Sequence, residues 1–285
     1  MEKLIQQTMP IIMGIVNCTP DSFFDGGKNF AFEQAWKHSL DLLSQGAQIL
    51  DIGGESTRPG AEKVSAEQET SRVLPLVKAL HKHRQTHDLS FLISVDTTKS
   101  MVAEQALQNG ADIINDISML KFDDKLPDVL LKHQPYIVLN HIRGTPATMQ
   151  KSPYYKDVIA EVAEELVQAA QKLNSQGFPL AKIILDPGIG FSKKLEHNLK
   201  LIAQAKKLRK TAKKLSNHDF IWLYGMSRKS YIGNIPGLES SDRLIPSIVS
   251  ALAVAKSSVE IVRVHDVKLT FEAFKTQRIL SDFLY

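Results

Sequence analysis

The sequence predicts an α/β fold in which short buried strands alternate with helices. Eight short apolar runs recur along the 285 residues, and amphipathic helix-like stretches separate most of them. Most runs end on a polar residue, for which a buried strand has no structural use. Strand–helix–strand units favour right-handed crossovers, which leaves an open doubly wound sheet or a closed barrel. Eight runs favour the closed form, a (β/α)8 TIM barrel spanning residues 1–285 as a single domain.

The predicted strands and helices follow one another in order along the chain. Helix-like segments end at Gly46, Gly110 and Gly177, and each is followed within a few residues by an apolar run, because glycine permits the left-handed backbone that ends a helix. Ser65 and Gln68 have the spacing of a capping box, which predicts that a helix begins there. The eight predicted strands are residues 11–17, 47–53, 91–97, 112–118, 136–141, 183–188, 220–227 and 261–267.

Composition argues against several classes of function. The formal net charge of +4 is mild, so it indicates neither nucleic acid nor a membrane surface as a partner, although it suits anionic small molecules. The single cysteine, Cys18, excludes an internal disulfide and is consistent with a reducing compartment. No signal-peptide pattern and no apolar run of membrane-spanning length is evident. We therefore expect a cytoplasmic protein that binds small-molecule substrates.

Polar residues close most of the predicted strands. In a barrel of this kind the C-terminal strand ends build the active site. Each residue alone could be a helix cap or a satisfied core group, but the convergence of many predicts a functional site. The residues are Asn17, Asp51, Asp96, Asn115, His141, Asp186, Ser227, Arg263 and His265.

Arg263 and His265 lie two residues apart in an extended segment, so both side chains should face one pocket. An arginine and an imidazole that point into a barrel mouth need an anion for compensation, and phosphate or pyrophosphate meets both. The alternative is a surface ion pair between Arg263 and Asp266, with His265 packed in the core.

Asp96, Asn115 and Asp186 form a hydrogen-bonding set at three strand ends. A carboxylate accepts two parallel N–H donors, so an amino-pyrimidinone edge would suit Asp186. Binding of Mg²⁺ is the competing use, because Asp, Asn and His can build such a site. No CxxC or HExxH spacing is present, which argues against a dedicated transition-metal site.

The loops after the first two strands are rich in small and turn-forming residues, which is typical of mobile functional loops. Asp25 and Arg58 lie on these loops and could close over a substrate. Phe191, after the sixth strand, could cover a flat ligand. The Ser-Arg-Lys-Ser cluster at 227–230 offers cations for a carbonyl oxygen or an acidic substrate, and Lys229 could instead be a Schiff-base lysine.

Together these segments resemble the dihydropteroate synthase family from end to end. The resemblance implies a transferase of folate biosynthesis that joins 6-hydroxymethyl-7,8-dihydropterin pyrophosphate to p-aminobenzoate and releases pyrophosphate, with Mg²⁺ as cofactor. It implies a dissociative mechanism promoted by electrostatics, a homodimer and a sulfonamide target. The motifs that carry it are NCTPDSFFDGG, DIGGESTRPGA, SVDTTK, IINDIS, ILDPGIGF, GMSRKS and RVHDV.

The resemblance also implies a role for each matching residue. Pyrophosphate would be bound by Asn17, Arg263 and His265, and Asn17 would also touch the Mg²⁺. The pterin would be held by Asp96, Asn115, Asp186 and Lys229, with Arg263 against the ring, and Ile117 would also contact substrate. The p-aminobenzoate pocket would be shaped by Thr57, Arg58, Pro59, Phe191 and Ser230. The catalytic set would be Asp25, Arg58, Asp96, Lys229, Arg263 and His265.

Asn140 departs from the family's pattern, which more often has Met before the following His141. The helical segment 243–258 is apolar beyond one core-facing stripe, which favours a dimer. The basic stretch 193–214 has apolar residues at helical spacing, so we interpret it as a solvated outer helix and not as an RNA-binding surface.

Three alternatives stay open at the level of sequence. A methyltetrahydrofolate and corrinoid methyltransferase also places Asp and Asn at strand ends, but it has no pyrophosphate for Arg58, Arg263 and His265 to bind. A catalytically silent pterin-binding paralogue would serve as a scaffold, although the loops of such proteins are normally eroded. A lysine aldolase would use Lys229, and borohydride trapping with a carbonyl substrate would reveal it.

Overall fold

Eight parallel strands close into a barrel, each hydrogen-bonded to the next and β8 to β1. This architecture comes from a computed structural model that describes residues 1, 9–19, 27–56, 63–238, 242–257 and 259–283, without the side chains of 27–30. The predicted TIM barrel is confirmed. The strands are β1 Ile11–Asn17, β2 Ile49–Gly53, β3 Leu92–Asp96, β4 Ile113–Asp116, β5 Tyr136–Asn140, β6 Ile183–Asp186, β7 Ile221–Tyr224 and β8 Ile261–Val264.

Helices cover the outside of the barrel between consecutive strands. Ser65 caps α2 as expected, because its hydroxyl accepts from the Gln68 N–H at 3.2 Å and the Gln68 side chain accepts from the Ser65 N–H at 3.3 Å. Within the described residues, no helix combines the length and apolar character that a membrane span needs. The α-helices are α1 Gly27–Ser44, α2 Ala66–Thr86, α3 Ser100–Gln108, α4 Leu126–His133, α5 Val158–Ser175, α6 Leu195–Ala203, α7 Ala205–Ser216, α8 Leu244–Ala255 and α9 Val267–Ser281.

Alternation along the strands divides the apolar side chains into two buried clusters. Residues of one parity, such as Leu50, Ile93 and Val262, point outward and pack with the helices in the main core. Residues of the other parity point inward and form a separate apolar floor inside the barrel. Burying an Ile, Leu or Val side chain stabilises the fold by about 1.5–3 kcal/mol. The floor consists of Ile11, Met13, Ile49, Ile113, Val138, Ile184, Leu223 and Ile261.

The strand register carries polar residues onto the layer directly above this floor. Side chains alternate along a strand, so the residue two positions after an inward-facing residue also faces inward. Asp51 follows Ile49, Asn115 follows Ile113 and Asp186 follows Ile184 in this way. The same step leads from Val138 to Asn140 and from Ile261 to Arg263. The C-terminal end of the barrel is therefore lined by charged and amide side chains that rest on hydrocarbon.

Candidate functional site

A row of polar strand ends crosses the first four strands. Asn17 pairs in register with Gly53, Gly53 with Asp96, and Asp96 with Asn115. A Cβ placed on Gly53 would lie 3.7 Å from Asp96 Cβ and 3.9 Å from Asn17 Oδ1. Because glycine stands between them, Asn17 and Asp96 flank an open position at the mouth of the barrel.

Arg263 reaches from β8 across the barrel to two carboxylates. Its Nε donates to Asp51 Oδ2 at 2.6 Å and its Nη2 donates to Asp96 Oδ2 at 2.9 Å. Asp51 is fully buried and also accepts from Ser94 Oγ at 2.6 Å and from Asn115 Nδ2 at 3.0 Å. These bonds tie β2, β3, β4 and β8 into one network, in which charge-assisted bonds contribute most of the stabilisation.

The premise that Arg263 lacks a counter-ion within the protein is therefore wrong. Burial acts to lower the pKa of Arg263, but the carboxylates of Asp51 and Asp96 outweigh that effect and raise it. The alternative of a surface pair with Asp266 is also wrong, because Asp266 accepts from Arg228 Nε at 2.9 Å and from Arg228 Nη2 at 2.5 Å. Arg263 has a fixed position before any ligand binds, and contact with an external anion would be additional.

Asp186 is the last residue of β6, and one oxygen of its buried carboxyl group accepts a backbone hydrogen bond. Its Oδ1 accepts from the Gly188 N–H at 2.7 Å. Gly188 has φ +68°, and a Cβ there would lie 2.0 Å from the His141 carbonyl oxygen, so only glycine fits this turn. Asp186 Oδ2 borders Gly225, whose missing side chain leaves space between Asp186 and Arg263.

Two carboxyl groups at this end of the barrel, those of Asp96 and Asp186, have pKa values above their ordinary range. Burial raises the pKa of Asp186 to about 6, with Lys229 opposing the shift. Burial raises the pKa of Asp96 to about 7, although Arg263 acts in the opposite direction. Burial lowers the pKa of Lys229 to about 8, which the two carboxylates counteract. Perturbed groups of both signs that converge at a cleft are typical of a functional site.

Lys229 and Phe191 meet at the rim of the barrel. Lys229 Nζ lies 4.2 Å from the centre of the Phe191 ring and donates to the Ile189 carbonyl oxygen at 2.8 Å. Phe191 belongs to a small apolar cluster with Ile117, Ile142 and Met149. Ser230 is exposed at the start of a short 3₁₀ helix, Ser230–Asn234. The structure therefore brings the predicted residues Ile117, Phe191 and Lys229 to one side of the mouth.

His265 follows β8 directly and contacts Ser227, which follows β7. The His265 backbone N–H donates to Ser227 Oγ at 3.2 Å, and the ring Nδ1 lies 3.0 Å from the same oxygen. Burial lowers the pKa of His265 to about 4, and the charges of Arg263 and Arg228 add to the effect. The ring is therefore neutral near pH 7, at the same end of the barrel as Arg263.

His141, which the sequence offers equally as a packing residue or as a ligand contact, is a packing residue and does not line the barrel mouth. His141 comes one residue after the inward-facing Asn140 and is fully buried on the other side of the strand. Its Nδ1 lies 3.0 Å from Lys193 Nζ, and its Nε2 lies 3.2 Å from Glu165 Oε2 on α5. Burial lowers the pKa of His141 to about 3. Asn140 takes the inward position, where its Nδ2 donates to the Ile117 carbonyl oxygen at 3.3 Å.

Lys193 was expected at the start of a solvated helix, and that expectation is wrong. The residue is 3% exposed, and its Nζ donates to the Phe191 carbonyl oxygen at 3.0 Å. Burial lowers the pKa of Lys193 well below its ordinary value. The charge run suggested a surface helix, but α6 begins only at Leu195, and Lys193 belongs to the loop that carries Phe191.

The loop after β2 is held at its base by a partly buried cluster of charged side chains. Lys99 Nζ contacts the carboxylates of Glu55 and Glu69, and Glu69 is almost fully buried. Glu55 Oε1 also accepts from the Val64 N–H at 3.1 Å, which joins the two ends of the loop. The loop residues Thr57, Arg58 and Pro59, and Asp25 on the first loop, lie outside the described residues.

Side chains that could bind a metal do not converge in the described part of the chain. No group of three or more His, Cys, Asp or Glu side chains there has the arrangement of a metal centre. Asn17 ends β1 with an exposed side chain whose Oδ1 faces the open position at Gly53. Cys18, next along the chain, has a pKa that burial raises to about 12, so its sulfur is a protonated thiol near pH 7.

Comparison with known proteins agrees with this geometry. The family described as pterin binding enzyme matches residues 13–265. The chain is 41% identical over 266 residues to a dihydropteroate synthase of Escherichia coli (strain K12), an alignment that covers 93% of this chain and 90% of that relative.

Two solved structures are similar along nearly their whole length. A Yersinia pestis dihydropteroate synthase in complex with a sulfonamide drug has a TM-score of 0.84 and 38% identity, covering 96% of this chain and 95% of the other. A Xanthomonas albilineans dihydropteroate synthase with 4-aminobenzoic acid has a TM-score of 0.84 and 36% identity, covering 96% of this chain and 93% of the other.

Proposed function

The chain belongs to the dihydropteroate synthase family of pterin-binding enzymes, and we propose that its barrel mouth condenses 6-hydroxymethyl-7,8-dihydropterin pyrophosphate with p-aminobenzoate. The products are 7,8-dihydropteroate and pyrophosphate, so the reaction is a transferase reaction. The observation that carries the proposal is the polar layer above the apolar floor, where Asp96, Asn115 and Asp186 surround a fixed Arg263. The family match over 13–265 supports treating the chain as one pterin-binding domain.

The deep part of the site suits a pterin. Asp186 Oδ2 borders the space that Gly225 leaves open, where a carboxylate can accept the paired N–H donors of an amino-pyrimidinone edge. Asn115 offers an amide at the opposite wall, and Lys229 offers a cation for the ring carbonyl. Arg263 is held flat across the barrel by its two carboxylates, so its guanidinium can stack on a planar ring.

The pyrophosphate end is formed by Asn17, Arg263 and His265. His265 is neutral near pH 7, so it contributes a hydrogen-bond donor and not a charge. The exposed Asn17 oxygen is the kind of ligand that Mg²⁺ takes, since this ion commonly combines one or two protein oxygens with substrate phosphates and water. A bound Mg²⁺ would neutralise charge on the leaving pyrophosphate. Asn17 and the substrate phosphates are the groups that would hold it.

The arrangement supports a dissociative reaction. The bond between the pterin methylene carbon and the pyrophosphate oxygen breaks first, and its electron pair leaves with the pyrophosphate. The carboxylate of Asp96 stabilises the resulting cation, while Arg263 and His265 stabilise the leaving group. The amine nitrogen then forms a bond to the methylene carbon and releases its proton to water. No strong base is needed for this sequence.

The amine site lies at the rim, nearer to solvent than the pterin site. Phe191 and Ser230 stand beside Lys229 there, and Thr57, Arg58 and Pro59 complete the proposed pocket. Asp25 and Arg58 are proposed to close over the substrates. The similarity to a sulfonamide-bound structure supports this pocket as the site of sulfonamide action.

Assembly and location are also proposals. On the outer face of α8, Ile245 is 70% exposed and Val249 is 57% exposed. Exposed apolar surface of this kind is unfavourable in water, and a second copy of the chain would cover it. We therefore assign a homodimer, and size-exclusion chromatography with light scattering tests it. The single cysteine and mild charge support a cytoplasmic location without nucleic-acid or membrane partners.

One assay tests the function directly. The protein is incubated with Mg²⁺, the dihydropterin pyrophosphate and p-aminobenzoate, and dihydropteroate and pyrophosphate are measured with and without the amine. We expect amine-dependent formation of dihydropteroate, which Arg263→Ala abolishes while the fold survives. Arg209→Ala is the matched control, because Arg209 also binds two carboxylates, Asp219 at 2.8 Å and Glu260 at 2.6 Å, but at the opposite end of the barrel. An absence of dihydropteroate with wild-type protein refutes the proposed function.

A further inference from the structure

Ser227 and His265 form a hydrogen-bonded pair at the mouth of the barrel. The two residues follow the neighbouring strands β7 and β8. Ser227 Oγ receives the His265 backbone N–H at 3.2 Å and lies 3.0 Å from the ring Nδ1. Ser227 is buried, and the structure shows no other hydrogen-bond partner of its hydroxyl among the described residues. Both contacts join the same two residues, so the serine fixes the ring as well as the backbone.

The protons of this pair can be placed by counting donors and acceptors. A serine hydroxyl carries one donor and two acceptor positions, and the backbone N–H occupies one acceptor position. If Nδ1 also carried a proton, the hydroxyl would accept twice, and its own proton would have no acceptor within the described part of the chain. If the hydroxyl instead donates to Nδ1, every group is satisfied. A buried unsatisfied donor is costly, so the second arrangement is favoured.

The placement matters because the ring is neutral near pH 7. Burial and the charges of Arg263 and Arg228 keep the pKa of His265 at about 4, so one ring nitrogen carries a proton and the other does not. With Nδ1 as acceptor, the proton resides on Nε2. No hydrogen bond to Nε2 is seen from the described residues, so this N–H is available for a ligand.

We propose that Ser227 is a positioning residue that holds His265 as the Nε2–H tautomer, so that the ring presents a hydrogen-bond donor to the leaving pyrophosphate. The identity of that ligand rests on the proposed function. In this tautomer His265 cannot accept a proton from the amine at Nε2. The histidine therefore supports departure of pyrophosphate and takes no part in deprotonating p-aminobenzoate.

The first measurement is the tautomer itself, by long-range ¹H–¹⁵N correlation spectroscopy on ¹⁵N-histidine-labelled protein. The ring is assigned as the signal set missing from His265→Asn. In wild type we expect separate resonances, with the proton on Nε2 and an unprotonated, hydrogen-bonded Nδ1. In Ser227→Ala we expect the two nitrogen resonances to move toward each other, because the tautomers interconvert. Ser227→Thr retains a hydroxyl and should restore the wild-type pattern.

The second measurement is steady-state kinetics of the same variants. For Ser227→Ala we expect kcat to fall about tenfold, as for the loss of one hydrogen bond to a charged leaving group. The KM for p-aminobenzoate should change less than about twofold, since neither Ser227 nor His265 is among the residues proposed to contact the amine. Ser39→Ala is the matched control, because it removes a buried serine hydroxyl whose bond lies within α1, to the Ala35 carbonyl oxygen at 2.7 Å.

The outcomes separate the proposal from the function on which it rests. A wild-type ring with its proton on Nδ1 overturns the proposal, and so does a Ser227→Ala variant that keeps both the tautomer and kcat. A Ser227→Ala variant that loses kcat without a change of tautomer also overturns it, because the serine would then act otherwise. If wild-type protein forms no dihydropteroate, the proposed function fails, and the spectrum still decides whether Ser227 sets the tautomer.

Discussion

Replacing Asp51 by Asn tests whether the buried carboxylate organises the site. Asp51 has no exposed surface and receives three donors on two oxygens. Ser94 reaches Oδ1 at 2.6 Å, while Arg263 and Asn115 reach Oδ2 at 2.6 Å and 3.0 Å. An asparagine of the same shape has one accepting oxygen, and its amide N–H would face a donor. At least one of the three donors must therefore lose its partner.

The size of the effect follows from the kinds of bond that are lost. The bond from Arg263 is charge-assisted and contributes about 1.5–3 kcal/mol, and a neutral bond contributes about 1 kcal/mol. Asp96 still accepts from Arg263 at 2.9 Å, which limits the loss. We expect the free energy of unfolding to fall by about 3 kcal/mol and kcat to fall by about tenfold, because Arg263 keeps one of its two anchors.

Urea denaturation followed by circular dichroism measures the first quantity, and dihydropteroate formation measures the second. Asp112→Asn is the control, because Asp112 likewise holds an arginine, Arg84 at 2.5 Å, and the Ile93 N–H at 2.8 Å, but outside the site. It should reduce stability and leave kcat unchanged. The reasoning fails if Asp51→Asn unfolds within about 0.5 kcal/mol of wild type with the same kcat.

Three further predictions concern charge and metal. Lys99→Met should lower the free energy of unfolding by about 3–5 kcal/mol, because it leaves the buried Glu69 carboxylate without its cation. In a double-mutant cycle measured by urea denaturation, adding Glu69→Gln should restore part of that loss, and additive effects of the two substitutions would contradict the pairing. The affinity for a dihydropterin, measured by calorimetry, should fall as the pH decreases through about 7 and then about 6, because Asp96 and Asp186 take up protons and lose acceptor capacity. Asp186→Asn should remove the decrease near pH 6, and an affinity that does not depend on pH would contradict the assignment. Asn17→Ala should raise the Mg²⁺ concentration for half-maximal activity several-fold, and an unchanged requirement would exclude Asn17 as a ligand.

Strand periodicity predicted the barrel and the ring of polar strand ends because each depends on local pattern. The two-residue alternation leads from the floor to Asp51, Asn115 and Asp186 without knowledge of any other strand. At His141 the alternation itself was right, but the last polar residue of the run was taken as the inward one. Asn140, two residues after the inward-facing Val138, holds that position, so His141 faces outward. Glu165, which contacts His141 from α5, could not be predicted as its partner, because no sequence pattern near His141 indicates where α5 packs.

The partners within the site could not be predicted for a related reason. Arg263 and Asp51 are separated by 212 positions, and no pattern near either residue indicates the other. Without that pair, the sequence predicted that Arg263 requires an external anion. Lys193 shows the opposite error, since it precedes the exposed Lys194 and a basic helical stretch in sequence, while its partners in space are His141 and the Phe191 carbonyl. A run of charged residues predicts that each side chain is solvated, but a lysine whose ammonium group can donate to buried acceptors is an exception.

The bond between Arg263 and Asp51 also has a consequence for how the chain folds during synthesis. The carboxylates of the second and third strands are made early, whereas their shared cation arrives only with the eighth strand. Until then two acidic groups face each other over hydrocarbon, which disfavours a closed partial barrel. Contacts of such long sequence separation form late. We therefore expect the nascent protein to lack a competent catalytic centre until the eighth strand has left the ribosome.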